Sequence, residues 1–410
     1  MAATIAIVVV IAAIVGSGVA RLAGLGASAP TLVIGSAAFV SPDEGWITLG
    51  DPGSSQAATF KTTNGGRTWH KQLDFPLGST GSRFGVLGTS MQFVDTTHGF
   101  TYTAQGTVPN PKRQVLYRTV DGGLHWVPVL LPKVSAGGLV TFNFSSPKSG
   151  LLLVIRGGLT KGESATMFGT NDGGNSWHTV VNSTPVVLPG GLFIPAFQNA
   201  VRQSGSGRIA VLPLAPSLST VINYFSVNGG KTWTGRAVPV PPVRRPSQAL
   251  LSVQQLPGVS EISGVAYDPL AAAAYLRGRE IHGSSQYFVY RLNKTGASIG
   301  APVKIPLTYD WAAHSDPFTN TDPASAFVGP GVWAFATEHK FILTATGGHS
   351  WTTLPSPLDS RFRPGGLRFF DQYSGVIWGY GRRAGALKST LLQTSDGGHT
   401  WSRITLPSHL

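Results

Sequence analysis

The sequence of 410 residues predicts an all-β fold in which one unit of four short strands is repeated seven times. Three observations support this prediction: a short motif that recurs at nearly even intervals, a hairpin pattern upstream of it, and the absence of long helical periodicity. A fixed period of about 50 residues indicates one repeated supersecondary unit. Four strands in about 50 residues is the size of one propeller blade. The expected architecture is a seven-bladed β-propeller with four-stranded antiparallel blades.

The recurrent motif ends in Gly-Gly, two further residues and Trp. Six copies occur, and they span Thr62–Trp69, Thr119–Trp126, Thr170–Trp177, Ser226–Trp233, Thr344–Trp351 and Thr394–Trp401. Successive tryptophans lie 57, 51, 56, 118 and 50 residues apart. The one wide interval is close to two ordinary intervals, so a seventh unit should lie inside it.

A β-hairpin signal precedes most copies: an apolar stretch, a polar turn that ends in Gly, and a second apolar stretch. Clear examples are residues 37–50, 91–103, 142–154 and 367–379, and weaker ones are 264–278 and 326–336. The example at 264–278 lies in the wide interval, and residues 287–299 after it fit a motif that has lost its Trp. The approximate blades are therefore 33–76, 86–132, 137–184, 190–239, 250–305, 311–356 and 363–410.

The motif is interpreted as a turn, not as a reactive site. Its third residue is usually Asp or Asn, which can accept backbone N–H bonds two residues further on. The Gly pair permits positive φ at the tip, and the Trp can pack against the neighbouring sheet. The residues assigned to this turn are Thr62, Asn64, Gly66, Trp69, Thr119, Asp121, Gly123, Trp126, Thr170, Asp172, Gly174, Trp177, Ser226, Asn228, Gly230, Trp233, Gly348, Trp351, Thr394, Asp396, Gly398 and Trp401.

The pattern Ser/Thr-x-Asp-x-Gly-x-Thr-Trp resembles the Asp-box, or bacterial neuraminidase repeat. With the upstream hairpin and the period, residues 33–410 resemble the photosystem II stability/assembly factor-like family, and more distantly sortilin-type and sialidase-type propellers. The resemblance implies the fold and says little about activity, because the box is structural in these families. Asn64, Asn228 and Thr346 depart from the Asp of the pattern, which predicts looser blades there.

Composition limits the classes of partner. There are no cysteines, which excludes disulfides and thiolate metal sites. The formal charge of +13, from 31 Lys and Arg against 18 Asp and Glu, favours anionic partners. Nucleic acid is not expected, because no recognition motif occurs and the basic residues form no runs. No cofactor and no metal are expected.

The amino terminus differs in kind from the repeats. Residues 2–20 carry no charge, and about 20 apolar residues match the thickness of a bilayer core. We therefore expect residues 1–32 to form a signal-anchor and linker, and residues 33–410 to form an extracytoplasmic propeller on a single-pass anchor. Ala27–Ala29 has the small-residue pattern of a cleavage site, so a cleaved signal and a secreted propeller are the alternative.

Catalytic chemistry has little support in the sequence. The nearest match to the sialidase Phe-Arg-Ile-Pro element, at residues 192–195, lacks the Arg and follows the first box. A glycosidase needs two carboxyl groups about 5–10 Å apart, and candidates cluster in the loop 307–323. That loop carries Asp310, Asp316 and Asp322 with Trp311 and His314. It is interpreted as a solvated loop, with a catalytic or cation site as the alternative.

A binding function is expected on the loops opposite the boxes, since loops on a rigid scaffold are where binding usually evolves. The basic residues assigned to those loops are Arg244, Arg245, Arg277, Arg279, Arg361, Arg363, Arg382 and Arg383. The sequence thus predicts a non-catalytic scaffold that binds an acidic protein segment or another anionic partner. The alternatives are scattered solubility charges and, for the whole protein, an extracytoplasmic glycoside hydrolase or carbohydrate-binding propeller.

Overall fold

The structure is a computed structural model, and it describes residues 32–51, 56–76, 89–107, 110–133, 139–156, 164–182, 201–203, 209–217, 220–226, 234–239, 267–268, 273–279, 284–291, 300–301, 303–310, 323–329, 331–359, 362–383 and 386–410. All of them belong to the compact unit Thr31–Leu410. Within these residues, no helix has the length and apolar character needed to cross a bilayer. The run 2–20 lies outside the described residues, so the anchor remains a prediction.

The described residues form seven four-stranded antiparallel sheets, each built from four consecutive strands. The first three sheets contain β1 (Val33–Phe39), β2 (Gly45–Gly50), β3 (Gln56–Thr62), β4 (His70–Pro76), β5 (Ser90–Phe93), β6 (Gly99–Thr107), β7 (Asn110–Thr119), β8 (Val127–Val129), β9 (Leu139–Phe144), β10 (Gly150–Arg156), β11 (Ser164–Thr170) and β12 (His178–Asn182). The next two contain β13 (Val201–Gln203), β14 (Ile209–Ser217), β15 (Thr220–Ser226), β16 (Thr234–Pro239), β17 (Tyr267–Asp268), β18 (Ala273–Arg279), β19 (Ser284–Arg291) and β20 (Val303–Asp310). The last two contain β21 (Ala324–Val328), β22 (Val332–Ala336), β23 (Lys340–Thr344), β24 (Thr352–Pro355), β25 (Phe362–Phe369), β26 (Gly375–Arg383), β27 (Ala386–Thr394) and β28 (Ser402–Arg403).

The predicted all-β class with four-stranded antiparallel sheets is confirmed, and so are the four clear hairpins. The fifth sheet, β17 to β20, lies in the wide interval between motifs, where the spacing predicted a further unit. Residues 292–299, the end of the predicted decayed motif, lie outside the described residues.

The glycine of each clear hairpin begins the second strand, where a Phe of the first strand lies opposite it. In the second sheet Phe93 pairs with Gly99, and in the third Phe144 pairs with Gly150. A Cβ atom on Gly99 would overlap the ring of Phe93. Glycine is therefore required because the aromatic ring covers its backbone, and not because the turn needs positive φ.

Neighbouring sheets pack face to face in chain order. Trp46 of the first sheet stacks on Phe93 of the second, with ring centroids 3.5 Å apart and planes 6° from parallel. Buried clusters likewise join the second sheet to the third, the fifth to the sixth and the sixth to the seventh. The first strands β9, β13 and β17 contact one another in succession. Buried Ile47 and Leu391 belong to one cluster that joins the seventh sheet to the first. This cyclic order is that of a β-propeller-like fold.

Candidate functional site

The box of the second sheet is a turn whose polar groups bond to one another. Thr119 is 1% exposed, and its Oγ1 accepts the N–H of Gly123 at 2.8 Å and donates to Asp121 Oδ1 at 2.8 Å. Asp121 Oδ1 also accepts the N–H of His125 at 2.9 Å. Gly122 and Gly123 have φ of 72° and 96°, which a residue with a Cβ rarely adopts. The motif thus supplies its own donors and acceptors, as predicted.

Boxes that depart from Asp keep the same bond. Asn64 Oδ1 accepts the N–H of Thr68 at 2.9 Å, and Thr346 Oγ1 accepts the N–H of Ser350 at 2.9 Å. Any short side chain with an oxygen acceptor therefore completes the turn. The expectation that these two boxes would be looser finds no support in their geometry. For the fourth box the structure describes Ser226 alone, at the end of β15, and Asn228, Gly230 and Trp233 lie outside the described residues.

Each of the five boxes whose turn the structure describes is bonded to the hairpin turn of its own sheet. Gly65 donates its N–H to Asp43 O at 2.8 Å, Gly122 donates to Thr97 O at 2.7 Å, and the box of the seventh sheet repeats the bond from Gly397 to Tyr373 O at 2.8 Å. Hairpin turns and boxes therefore share one face of the sheets, which we call the box face. The strand ends on the other side form the opposite face. The sequence predicted this division.

The box carboxylates are held in the ionised state. Hydrogen bonding by the backbone N–H of His125, and further bonds from the side chains of His125 and Thr119, lower the pKa of Asp121 to about 2. The side-chain hydroxyls of Ser176 and Thr400 are the largest causes that lower the pKa of Asp172 and Asp396 to about 2. A carboxylate that is ionised at neutral pH and already accepts several hydrogen bonds is poorly suited to be a general acid.

Two box tryptophans, Trp69 and Trp177, connect neighbouring sheets. Trp69 Nε1 donates to Thr405 O of the seventh sheet at 2.9 Å, and Trp177 Nε1 donates to Leu130 O of the second sheet at 3.0 Å. Trp177 also packs against a buried cluster that contains Phe100 and Leu116 of the second sheet. The predicted packing of these tryptophans on a neighbouring sheet is confirmed in both cases.

Sequence reasoning missed the contacts of two basic residues that lie directly before a box Thr: Arg118 bridges two sheets, and Lys61 contacts its own sheet. Arg118 Nη1 donates to Gly173 O in the next box at 3.0 Å. Lys61 Nζ pairs with Glu44 at 2.8 Å and lies 4.8 Å from the ring centroid of Trp46. The sequence signal that could have found them is a long cation immediately before the motif. Both cations have structural partners, so they are not free for a ligand.

The arginines assigned to the opposite face require a correction. Arg277 and Arg279 lie in β18, Arg363 lies in β25, and Arg382 and Arg383 end β26, so these five are strand residues and not loop residues. The alternation of apolar and polar residues continues into these positions, so the strands are longer than the sequence analysis predicted. Arg244, Arg245 and Arg361 lie outside the described residues.

Arg363 differs most from its predicted exposed position. It is half-buried on β25, the first strand of its sheet, opposite Tyr380 in the register. Its Nη1 is buried, and no group of the described residues forms a hydrogen bond with it. A buried guanidinium nitrogen without a partner is costly unless an acceptor is supplied from outside. On the same face, Glu338 is 7% exposed and its Oε1 lies 3.4 Å from His339 Nε2.

Most of the acidic loop 307–323 lies outside the described residues. Asp310 is the last residue of β20, while Trp311, His314, Asp316 and Asp322 lie outside the described residues. The element at 192–195 also lies outside them. Where the structure describes side chains, no three His, Asp or Glu residues come together as a metal site would require.

Comparison with known proteins supports the fold. No family model and no curated protein match the sequence. The BP39L lectin from Burkholderia pseudomallei matches with 10% identity and a TM-score of 0.54, over 92% of this chain and 100% of the lectin. Two YCF48 structures, one bound to a D1 peptide and one from Cyanidioschyzon merolae, match with 15% and 16% identity. Each has a TM-score of 0.49, and they cover 89% and 90% of this chain and 94% and 97% of their own chains. The predicted resemblance to the photosystem II stability/assembly factor-like family is confirmed at the level of the fold.

Proposed function

We propose that this chain is a non-catalytic binding scaffold: a seven-bladed propeller, anchored by residues 2–20 and located outside the cytoplasm, that binds an acidic segment of a partner protein. The binding surface is the opposite face. The observation that carries the proposal is the position of five assigned arginines in strands, near the strand ends that reach that face.

The topology explains this convergence. Second strands leave the hairpin turn on the box face, so their last residues reach the opposite face, as Arg279 does in β18 and Arg383 in β26. First strands run the other way and begin at the opposite face, as β25 does one residue before Arg363. Sheets five and seven thus have arginine residues at strand ends on the same face. A surface of one sign of charge steers and selects a partner of the other sign.

Arg363 supports an anionic ligand more specifically. Its buried Nη1 has no acceptor within the described residues, and a carboxylate is the acceptor that fits a guanidinium in a bidentate manner. On the box face the carboxylates and glycine N–H groups of the described boxes already bond to one another. Arg118 also has a buried nitrogen without a partner among the described residues, its Nε, but its Nη1 already donates to Gly173 O of the next box. Binding of an acidic peptide is therefore assigned to the opposite face.

The test uses the full chain and a fluorescein-labelled peptide of about ten glutamates, with binding followed by fluorescence anisotropy. Loss of charge-assisted bonds should weaken binding about tenfold in the variant Arg382→Glu/Arg383→Glu. Arg363→Gln should weaken it by a similar factor, and added salt should weaken the parent chain further.

The matched control places the same change of charge on the box face, in Arg67→Glu/Lys148→Glu, since both side chains are exposed there. This control should bind the peptide almost as well as the parent chain. Equal weakening by the two pairs would mean that net charge alone attracts the peptide, and the proposed face would be wrong.

A further inference from the structure

The outer edge of the seventh sheet is only partly covered by the fourth strand of that sheet. The third strand, β27 (Ala386–Thr394), has nine residues, whereas β28 has two and pairs only with Leu392 and Gln393. Residues 386–390 therefore have no neighbouring strand on this side among the residues that the structure describes. We call residues 386–390 the open edge.

Backbone groups of the open edge point outwards at alternate residues. The N–H of Ile404 donates to Leu391 O at 2.9 Å, so the carbonyl of Leu391 faces away from β26. In an antiparallel strand the N–H and C=O of one residue point to the same side, and those of the next residue point to the other side. The backbone groups of Ser389 and Leu387 therefore face outwards as well. β28 does not pair with these two residues, and no other described segment bonds to their backbone.

The chain itself turns away before it covers the open edge. Thr405 O accepts the indole N–H of Trp69 at 2.9 Å, and Leu406 packs on the cluster that joins the seventh sheet to the first. Pro407 follows, and it has no N–H to donate to a neighbouring strand. In the first sheet, by contrast, β4 pairs with β3 over residues 56–61. The repeat therefore does not require an uncovered third strand.

The charges beside the open edge are positive. Lys388 is exposed on it, and exposed Arg403 of β28 reaches along it, with Nη2 3.3 Å from Thr390 Oγ1. Residues 375–410 contain one acid, Asp396, which accepts bonds within the box at the far end of β27. Charge complementarity therefore favours an acidic occupant.

Acids of the neighbouring elements do not cancel these charges. Asp74, on the outer strand of the first sheet, lies 3.0 Å from Lys71 Nζ. Asp359 precedes β25, and β26 separates β25 from β27, so two strand spacings of about 5 Å each lie between. Glu338 of the sixth sheet is buried.

We propose that an extended acidic segment of the partner protein adds to the open edge as an antiparallel strand. Main-chain bonds to Ser389 and Leu387 supply affinity, and side chains at alternate positions supply specificity. Residues that face each other across an antiparallel pair lie on one side of the sheet. The segment therefore carries acids opposite Lys388 and Thr390, the latter beside Arg403, and small or apolar residues between them.

The open edge is continuous with the proposed binding face. β27 begins there, directly after the turn from β26, and Ala386 pairs with Arg383. The inference rests on the proposed binding of an acidic segment and adds how that segment is held.

The test uses the full chain and fluorescein-labelled peptides of about eight residues in which valine and glutamate alternate, with binding followed by anisotropy. In one peptide N-methyl groups replace the valine N–H hydrogens, which face β27 in the proposed register. In the matched peptide they replace the glutamate N–H hydrogens, which face away. Methylation of the valines should weaken binding at least about tenfold, and methylation of the glutamates should leave it nearly unchanged.

Charge reversal on the open edge gives a second measurement. Lys388→Glu should weaken binding of the unmethylated peptide about fivefold. Lys304→Glu makes the same change on β20, the outer strand of the fifth sheet, where Lys304 is exposed, and should bind like the parent chain. Amide exchange at Leu387 and Ser389 should slow in the complex, whereas exchange at Thr390, whose N–H faces β26, should not.

Equal binding of the two methylated peptides, or a greater loss when the glutamates are methylated, would overturn the proposal. Equal weakening by Lys388→Glu and Lys304→Glu would overturn it too, since net charge alone would then attract the peptide. If strand addition fails in this way while Arg382→Glu/Arg383→Glu still weakens binding of the polyglutamate peptide, the proposed binding face stands. If neither kind of peptide binds, both proposals are wrong.

Discussion

A buried Thr hydroxyl begins each of the five boxes whose turn the structure describes, and it offers the most direct test of the turn. The change is Thr119→Val. Valine has nearly the same shape as threonine and suits a β-strand, so the substitution removes the hydroxyl and leaves little cavity. It deletes the acceptor of the Gly123 N–H and the donor to Asp121, both at 2.8 Å. Gly123 is itself buried, so water cannot easily replace the lost acceptor.

The magnitude follows from these two bonds. A buried N–H left without an acceptor costs about 1–3 kcal/mol, and loss of a hydrogen bond to a carboxylate adds about 1 kcal/mol where that carboxylate remains solvated. Thr119→Val should therefore lower the free energy of unfolding by about 2–4 kcal/mol. Urea denaturation followed by tryptophan fluorescence measures this change, provided that the slope with denaturant is the same in both proteins.

The same sheet supplies the control. Thr103 is also 1% exposed, and its Oγ1 has no hydrogen-bond partner within the described residues. Thr103→Val removes a buried, unsatisfied hydroxyl, so it should be neutral or stabilise the sheet by up to about 1 kcal/mol. If both substitutions had the same effect, the hydroxyl of the box would have no special role, and the account of the turn given above would be wrong.

Two further predictions concern acid and glycine. The box carboxylates have a pKa of about 2 in the folded protein, below the value near 3.9 in the unfolded chain. Their contribution to the stability of the fold is therefore complete above about pH 4, and it is lost as the pH falls through the folded pKa. Amide exchange in the boxes of Asp121, Asp172 and Asp396 should therefore accelerate towards pH 2 relative to the boxes of Asn64 and Thr346, and a uniform response would contradict this. Gly99→Ala should destabilise the protein by about 1–3 kcal/mol, because the added Cβ overlaps Phe93. The control is Gly329→Ala, which lies in open space at φ 72° and should cost about 1 kcal/mol. Equal unfolding midpoints for the two variants would refute the steric argument.

The repeats were predictable because each unit contains its own local signal. The Gly pair and the short acceptor at the third position specify a turn without reference to distant residues, so the box could be derived from eight residues. The hairpin could be derived in the same way, but the role of its Gly could not. That role depends on the ring of Phe93 crossing the strand to cover Gly99, and a pairwise register of this kind becomes visible only when the strands are aligned.

Contacts between sheets could not be predicted from the sequence for the same reason. Nothing near Arg118 in the chain indicates that its guanidinium reaches Gly173, 55 residues further on. The burial of Arg363 was missed because strand boundaries are set by pairing with β26, and a basic residue near a predicted loop was assigned to solvent. Local patterns thus predicted each sheet, whereas the environment of each charge depended on the neighbouring sheet.

The two faces of the sheets therefore differ in their suitability for binding. On the box face, the Asp acceptor and the Gly123 N–H of the second box bond within the turn, and Arg118 Nη1 bonds to the next sheet although its Nε has no partner among the described residues. A ligand at the turns would therefore have to break bonds that hold them together. On the opposite face, Arg363 keeps a buried nitrogen without an acceptor in the described structure, so an anion would add a bond without breaking one. The residues that make the repeats recognisable are therefore poor candidates for binding, and the less regular strand ends are better ones.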